Sequence, residues 1–314
     1  MILVCGIPSE TSLALVTRAL ERRGTPYVMV SQRHVRELVL ELAVDDERGL
    51  GGRLTGPDYA VDLDDVTGVY LRFMDDRELP ELRGEPDESP ARASSRAFHD
   101  LFGQWADIAP ARVVNRYTAM GSNFSKPYQS QLIQAHGFAV PETLVTNDPD
   151  LVRAFAAEHG RLIYKSISGE RSIVGLLDVD DGERLERIRW CPVQFQAFVG
   201  GPNVRVHTVG DELFATRVET EAIDYRYAVH QTGTAAAFEP CELDDALAAR
   251  CLGLAAALGL EVAGLDLKLP PDGPAVCLEV NPSPVFSYYE LNTEQPIADA
   301  VARLLATAVP ATVG

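Results

Sequence analysis

The chain of 314 residues carries 46 acidic and 28 basic side chains, which gives a formal net charge of −18. This acidity excludes a nucleic-acid partner, since phosphate backbones bind basic surfaces, and no apolar run is long enough to cross a bilayer. The five cysteines are scattered and contain no C-x-x-C pair. Their pattern favours free thiols in a reducing cytoplasm over disulfides or a zinc site.

Residues 1–112 have the pattern of a small α/β domain. Ile2–Cys5 is an apolar strand and, because no basic leader precedes it, not a signal peptide. A helix follows, with Ser9 or Thr11 as its expected N-cap, and Gly24 ends it. The turn after the first strand lacks the spaced glycines of a dinucleotide-binding loop, so no such site is predicted there.

The last part of this segment is charged and contains little apolar sequence. Residues 75–95 are predicted to form a loop with little core, and a helix is expected over Ala97–Ile108. Arg72 ends a predicted strand beside Asp75 and Asp76. Contact with a substrate is one interpretation of this arginine, and a surface ion pair is the favoured one.

A predicted strand over Leu162–Lys165 ends in a lysine and leads into a Ser/Gly-containing loop, residues 166–175. The ammonium group is a point charge for phosphate oxygens, and the loop offers backbone N–H groups. The sequence therefore indicates a phosphate site near Lys165. This loop and residues 222–233 are the candidate lids.

Two strands near the C-terminus form the most informative pattern of the chain. Leucines alternate with Asp266 and Lys268, and a Pro/Gly-rich turn leads into a return strand that holds Glu279 and Asn281. Side chains two apart in a strand share a face, so pairing brings Asp266 beside Glu279 and Asn281. Adjacent carboxylates repel each other, and a hard divalent cation removes that cost. A solvent-facing hairpin with ordinary exposed acids is the alternative.

The motif D-x-K, a turn, then L-E-V-N-P-S-P resembles the metal-binding end of the ATP-grasp ligases. The resemblance is strongest to the RimK-like and glutathione-synthetase-like branch, which includes the graspetide synthetases, and it extends over roughly residues 110–308. It implies an α/β fold of the grasp type (α+β). The implied domains are a pre-ATP-grasp α/β domain over 1–112, a central lid subdomain over 113–195, and a C-terminal subdomain over 196–314 with antiparallel sheets and the metal site.

The same resemblance implies where a nucleotide binds. Lys126, just before a predicted helix, and Lys165 would reach the phosphates of ATP. An apolar hinge strand would hold adenine through backbone groups of Ala197 and Phe198, with Gln196 beside them. Family members often have Glu where Ala197 stands, and a backbone contact survives that change.

The resemblance also implies the catalytic residues, with two departures from the family pattern. Arg205, Arg226 and Lys165 would stabilise the charge on the transferring phosphoryl group. Asn203 replaces the usual Asp of a D-x-R motif, and Ala228 stands where the family has an asparagine. Asn203 is nevertheless expected at the ribose or the metal. The implied metal ligands are Asp266, Glu279 and Asn281.

These residues together predict an ATP-dependent carboxylate–amine ligase that uses ATP and Mg²⁺ (or Mn²⁺). A carboxylate of a small molecule or peptide would form an acyl phosphate, and an amine (or hydroxyl) acceptor would then form the product with release of ADP and phosphate. We expect a cytoplasmic homo-oligomer, a dimer or a tetramer, with no membrane partner.

Three alternatives remain open from the sequence. The first is the same chemistry on a ribosomal peptide, which forms side-chain ester or amide cross-links as graspetide ligases do. The second is a nucleotide-binding protein that has lost catalysis, which the changes at Asn203 and Ala228 suggest. The third is a scaffold that binds no nucleotide.

Overall fold

The computed structural model describes residues 1–45, 49–165, 174–177, 182–220 and 233–307. The strands are β1 (Ile2–Gly6), β2 (Tyr27–Ser31), β3 (Val39–Asp45), β4 (Gly49–Gly56), β5 (Tyr59–Asp62), β6 (Gly68–Arg72), β7 (Arg112–Val114), β8 (Thr143–Thr146), β9 (Leu162–Lys165), β10 (Gly175–Leu176), β11 (Val193–Ala197), β12 (Asn203–Val209), β13 (Glu212–Glu219), β14 (Ala237–Cys241), β15 (Val262–Lys268) and β16 (Val276–Asn281).

The α-helices are α1 (Thr11–Arg22), α2 (Pro90–Ile108), α3 (Tyr117–Met120), α4 (Lys126–Ala135), α5 (Pro149–His159), α6 (Gly182–Glu186), α7 (Asp245–Ala257), α8 (Ser287–Thr293) and α9 (Ile297–Ala306). Among these described helices, none combines the length and the apolar character that crossing a bilayer requires.

The N-terminal sheet is parallel, with strand order β2-β1-β6-β7. All five residues of β1 are buried, as expected for a strand covered on both faces. Ile2 and Val4 share one core with α1 and the C-terminal helix α9, whereas Leu3 and Cys5 share another with α2. The last described helix therefore completes the core of the first sheet.

Three predictions about this N-terminal part are corrected by the structure. The N-cap of α1 is Glu10, whose carboxylate accepts a hydrogen bond from the N–H of Leu13 at 2.7 Å, and not Ser9 or Thr11. Helix α2 begins at Pro90, capped by the side chain of Ser89, well before the predicted start. The stretch 75–95, predicted as a loop with little core, contains the buried ion pair of Asp76 with Arg92 at 2.8 Å. A buried ion pair needs well-defined geometry, so this stretch is packed against the domain although its charged composition indicated a loop.

The central sheet is antiparallel, with order β10-β9-β11-β8. Tyr164 lies opposite Phe195, and both pack in the apolar cluster that contains residues of α5 and α6. Lys165 lies opposite Gln194 in the same strand pair. Because side chains alternate along a strand, Lys165 and Gln194 occupy the face that is turned away from that cluster.

The C-terminal sheet is antiparallel, with order β14-β13-β12-β15-β16. Val206, Leu265 and Val280 point into a core shared with α4 and α7. The opposite face carries Arg205 and Asp266, which are paired across β12 and β15. A fourth sheet, β3-β4-β5, is an antiparallel addition to the N-terminal part.

The predicted domain boundaries at residues 112 and 195 stay predictions. One observation bears on how the segments are joined. Helix α4, within the segment predicted as the lid, lies against β16, where the Gln129 side chain donates to the Val280 carbonyl at 2.8 Å and accepts from its N–H at 3.1 Å. This helix is thereby fastened to the C-terminal sheet.

Candidate active site

Two carboxylates lie side by side on the hairpin of β15 and β16. Asp266 is the cross-strand partner of Glu279, and the pairing then passes to Leu267 with Cys277, so that Leu278 is the extra residue of a β-bulge. The bulge shifts the alternation of β16 by one residue. As a result Cys277 and Val280 both reach the core, whereas Glu279 stays partly exposed.

Each of these carboxylates contacts a buried cation from another element. Arg205 Nη1 lies 3.0 Å from Asp266 Oδ2, and Lys126 Nζ contacts Glu279 Oε1. The two cationic side chains are only 6% and 7% exposed, whereas the two carboxylates are 28% and 32% exposed. The carboxylates therefore keep open sides, while the cations are held in place by the protein.

Arg205 is held by more than its ion pair. Its Nε donates to His207 Nε2 at 3.4 Å, and its guanidinium lies 5.8 Å from the centre of the Tyr289 ring. Burial, and secondarily the charge of Arg205, lowers the pKa of His207 well below its usual range, so this imidazole is neutral and can accept the hydrogen bond. Gly264 leaves the space that the guanidinium fills, because a Cβ there would lie 2.0 Å from Arg205 Nη2.

Asn281 is the third predicted oxygen donor. It follows Glu279 by two residues and lies opposite Gly264 across the hairpin. Its Oδ1 accepts a hydrogen bond from the N–H of Ser283 at 2.9 Å. Since only the oxygen can accept from an N–H group, this bond sets the orientation of the amide.

The donor set fits a hard divalent cation. Two carboxylates and one amide offer oxygen ligands only, which suits Mg²⁺ or Mn²⁺ and does not suit zinc. Elsewhere in the part of the chain that the structure describes, no three His, Cys, Asp or Glu side chains are grouped closely enough to hold a metal ion. We therefore consider Asp266, Glu279 and Asn281 the set with which a metal would fit.

Lys165 ends β9 and is only 6% exposed. Its cross-strand neighbour Gln194 was missed by sequence reasoning. Gln194 is 1% exposed, and its Oε1 accepts no hydrogen bond within the described residues. A buried amide oxygen without a donor is costly, so Gln194 is a candidate ligand contact on the face of Lys165. The sequence feature that could have indicated Gln194 is its position as a polar residue between the apolar residues Val193 and Phe195 of a buried strand.

The hinge strand differs in detail from the adenine contact expected there. The N–H of Ala197 donates to the Glu142 carbonyl at 2.9 Å, and the N–H of Phe198 donates to the Arg161 carbonyl at 2.8 Å. The side chain of Gln196 donates to Thr143 Oγ1 at 3.0 Å. Both backbone donors are thus engaged within the protein, and an adenine contact at this strand end depends on the carbonyl groups.

Asn203 begins β12 and lies opposite Lys268, on the same face as Arg205 and Asp266. The Lys268 ammonium donates to the Gly201 carbonyl at 3.1 Å, and burial lowers its pKa. Arg226, predicted to be catalytic, lies outside the described residues. So do Ala228 and most of the two candidate lids, residues 166–173 and 221–232.

A cavity of about 280 Å³ lies on the other face of the central sheet. Tyr164, Val193 and Phe195 line it, together with Leu185 and Ile188. Strand alternation points Tyr164, Val193 and Phe195 away from Lys165 and Gln194. The cavity is therefore distinct from the face on which the predicted nucleotide residues lie, and the chemistry of those residues is better evidence for the site than cavity size.

Comparison with known proteins identifies the family. A family model described as a RimK-like ATP-grasp domain matches residues 125–305, which is more than half of the chain. The chain belongs to the RimK-like ATP-grasp family. The resemblance found in the sequence is thereby confirmed, and so are the α/β grasp fold class and the prediction of an ATP-dependent ligase.

Curated relatives of this RimK-like protein include probable alpha-L-glutamate ligases. The one from Pseudoalteromonas atlantica is 24% identical over 261 residues, which cover 77% of this chain and 85% of the relative. The one from Xanthomonas euvesicatoria is 31% identical over 195 residues, which cover 59% of this chain and 65% of the relative. The chain thus spans just under two thirds of the length of the Xanthomonas protein.

Solved structures match this RimK-like protein over almost its whole length. The ATP-grasp ligase PsnB, complexed with a phosphomimetic variant of its minimal precursor, Mg and ADP, is 29% identical with a TM-score of 0.77, covering 97% of each chain. The macrocyclase MdnC of Microcystis aeruginosa, bound with precursor peptide MdnA, is 22% identical with a TM-score of 0.79, covering 98% of this chain and 99% of that one. The second match supports the fold alone.

Proposed function

We propose that this RimK-like protein is a carboxylate–amine ligase that activates a carboxylate as an acyl phosphate and transfers the acyl group to an amine, with release of ADP and phosphate. The observation that carries the proposal is the pair of buried cations on the polar face. Arg205 and Lys126 are held by separate elements, and Arg205 lies against Asp266 whereas Lys126 lies against Glu279. Positive charge that is fixed before the reaction stabilises the charge that develops on a transferring phosphoryl group.

Each residue has a proposed role. Lys126 and Lys165 bind phosphate oxygens of ATP, and Arg205 and Arg226 stabilise the transferring phosphoryl group. Asp266, Glu279 and Asn281 would hold a magnesium ion, which when bound supplies Lewis-acid neutralisation of phosphate charge. The other proposed nucleotide contacts are Gln196, Ala197, Phe198 and Asn203.

Hydroxylamine trapping tests the proposed intermediate. Purified protein, ATP, Mg²⁺ and a panel of carboxylic acids, glutamate and glutamyl peptides among them, are incubated with hydroxylamine. An acyl phosphate gives a hydroxamate together with an equal amount of ADP. ADP release without hydroxamate for any acid would contradict the acyl-phosphate route, and nucleotide binding with no turnover across the panel would favour a protein that has lost catalysis.

A second candidate is favoured by one finding. PsnB, whose structure contains its precursor, is alike over 97% of both chains at 29% identity, whereas the glutamate ligases match over shorter segments or at lower identity. This favours a peptide that receives side-chain ester or amide cross-links as the substrate. Mass spectrometry of a Thr/Glu- or Lys/Asp-rich peptide encoded beside the gene tests it, because each cross-link removes the mass of one water molecule.

A homo-oligomeric state, a dimer or tetramer, and a cytoplasmic location also stay part of the proposal. The oligomer is tested by light scattering of the purified protein. The scattered cysteines, which form no disulfide in the structure, are compatible with the reducing compartment.

A further inference from the structure

The turn that follows Asn281 lies against the edge of the N-terminal sheet. Strands β6 and β7 are parallel neighbours, so their carboxyl ends lie at the same edge. Arg72 is the last residue of β6, and Asn115 directly follows β7. Both side chains reach the turn Pro282–Pro284, which begins one residue after the proposed metal ligand Asn281.

Asn115 holds one side of the turn. Its Nδ2 donates to the Pro282 carbonyl at 2.5 Å and to the Val262 carbonyl at 2.6 Å. Its Oδ1 accepts from the N–H groups of Glu261 at 2.9 Å and Val262 at 3.2 Å. The side chain is 4% exposed and makes four hydrogen bonds. Its substitution would therefore disturb the packing as a whole, and it is not used to test the turn.

Arg72 holds the other side of the turn. Its Nη1 donates to Ser283 Oγ at 3.4 Å and to the Pro284 carbonyl at 3.3 Å. Its Nε and Nη2 donate to the two carboxylate oxygens of Glu10 at 3.2 and 3.1 Å. The expected ion pair of Arg72 is therefore present, but its partner is Glu10 and the two side chains are only 11% and 17% exposed, so the pair is largely buried and not at the surface.

These bonds form a continuous chain from helix α1 to the amide of Asn281. The N–H of Leu13 donates to Glu10, which accepts from Arg72. Arg72 donates to Ser283, whose N–H donates in turn to Asn281 Oδ1. The guanidinium is rigid and planar, and both of its ends are engaged, so it can fix the distance between Glu10 and the turn.

We propose that Arg72 is a positioning residue, which holds the Pro282–Pro284 turn and thereby keeps the side-chain oxygen of Asn281 oriented towards the metal–nucleotide site. This inference rests on the proposed function. Partners that orient a ligand from behind typically change metal affinity about 10- to 100-fold when they are removed. Arg72 touches neither Lys126 nor Lys165 in the contacts described above, so nucleotide affinity without metal should stay unchanged.

The test measures Mn²⁺ binding to the full chain in the presence of ADP, by electron paramagnetic resonance. Arg72→Met should weaken Mn²⁺ binding about 10-fold. Arg72→Lys keeps the positive charge but not the guanidinium that contacts both Glu10 and the turn, so its Mn²⁺ affinity should lie between those of Arg72→Met and the wild type. Asn281→Ala supplies the reference for loss of the ligand itself. ADP affinity without metal, measured by calorimetry, should be the same in the Arg72 variants and the wild type.

Arg112→Met is the matched control. Arg112 Nη1 pairs with Glu261 Oε2 at 2.7 Å and is 15% exposed, so it also joins the N-terminal sheet to the C-terminal one. Its described contacts do not include the turn. It should therefore lose stability without losing Mn²⁺ affinity. If Arg72→Met does not fold, Glu10→Gln removes the charge that holds the far end of the arginine but keeps an amide oxygen for the N–H of Leu13, and it should weaken Mn²⁺ binding in the same direction by less.

The outcomes separate this inference from the proposed function. Wild-type Mn²⁺ affinity in Arg72→Met, beside clear loss in Asn281→Ala, overturns the positioning role and leaves the metal site intact. Equal loss in Arg112→Met and Arg72→Met also overturns it, because the effect is then general destabilisation. If Asn281→Ala binds Mn²⁺ as the wild type does, the proposed metal ligand is wrong and the positioning role falls with it.

Discussion

The two sheets that carry the proposed nucleotide residues differ in how those residues are held. On the C-terminal sheet, Arg205, Asp266 and Glu279 are side chains with partners from other elements. On the central sheet, the expected contact at Ala197 and Phe198 is through the backbone, and both N–H groups already donate to protein carbonyls. Side-chain sites are specified by residue identity, whereas backbone sites depend on pairing geometry, which many sequences share. The comparison therefore predicts larger mutational effects on the C-terminal sheet.

The largest effect is expected from removing the carboxylates. Asp266→Ala combined with Glu279→Ala should reduce ATP turnover by at least about 100-fold, because the charge that would hold the metal is lost. The double variant also leaves the buried cations Arg205 and Lys126 without their carboxylates, which lowers stability, so circular dichroism must show a folded protein before turnover is compared. Unchanged ADP release with substrate present would contradict the role of both residues.

A smaller but still large loss of activity is expected when Arg205 is displaced by a substitution at a neighbouring residue. In Gly264→Ala the new Cβ would lie 2.0 Å from Arg205 Nη2 and 2.9 Å from Pro284 Cβ, so the guanidinium must move. We expect kcat to fall about 100-fold, as for the loss of one donor to the reacting group.

Gly253→Ala is the matched control for that substitution. Gly253 lies in helix α7, and a Cβ there meets nothing within 4 Å. Alanine favours a helix interior by about 0.5–1 kcal/mol, so this variant should be slightly more stable and fully active. Full activity in Gly264→Ala as well would show that the position of Arg205 does not limit the reaction.

On the central sheet, the two faces can be compared directly. Lys165→Met should weaken ATP binding about 10-fold, because one phosphate contact is lost. Arg184→Met changes a cation on the other face, where Arg184 lies 5.2 Å from the centre of the Tyr164 ring, and should leave ATP affinity unchanged. Calorimetry checks both values. Equal ATP affinities in the two variants would mean that the nucleotide does not lie on the Lys165 face.

The smallest expected effect is on the pH dependence of the free energy of unfolding. Burial lowers the pKa of His207 below its unfolded value, so in acid the unfolded chain binds a proton that the folded chain does not. The contribution to stability is full above about pH 6.5 and is lost as the pH falls towards the folded pKa, by at most about 1.4 kcal/mol per pH unit. Urea unfolding at pH 7.5 and 5.5 should show a smaller pH dependence in His207→Gln than in the wild type. Identical pH dependence would contradict the buried neutral imidazole.

Sequence patterns predicted the site best where strand alternation places metal-binding residue types on one face. Asp266 and Glu279 were predicted as neighbours from strand alternation, and they are cross-strand partners. The bulge at Leu278 that keeps Glu279 on the open face was not predicted, because an extra residue in one strand has no compositional signal. The roles of the individual site residues stay predictions.

Long-range contacts explain most of what the sequence could not predict. Arg72 lies beside Asp75 and Asp76 in sequence, yet its partners are Glu10 and the turn at Pro284. Local charge neighbours thus gave the wrong partner, because folding brings Arg72 into contact with residues 62 and 212 positions away. Glu10 caps α1 in place of Ser9 or Thr11 and also pairs with Arg72. Local capping preferences rank Ser and Thr above Glu, and they contain no information on that distant partner.

The most direct test of the account is a crystal structure with ADP and Mn²⁺, in which anomalous scattering locates the metal. We predict a manganese ion bonded to oxygens of Asp266, Glu279 and Asn281 at about 2.0–2.2 Å, with Lys126 and Lys165 on the phosphates. A manganese ion bound to other side chains, or a nucleotide that contacts neither lysine, would contradict it.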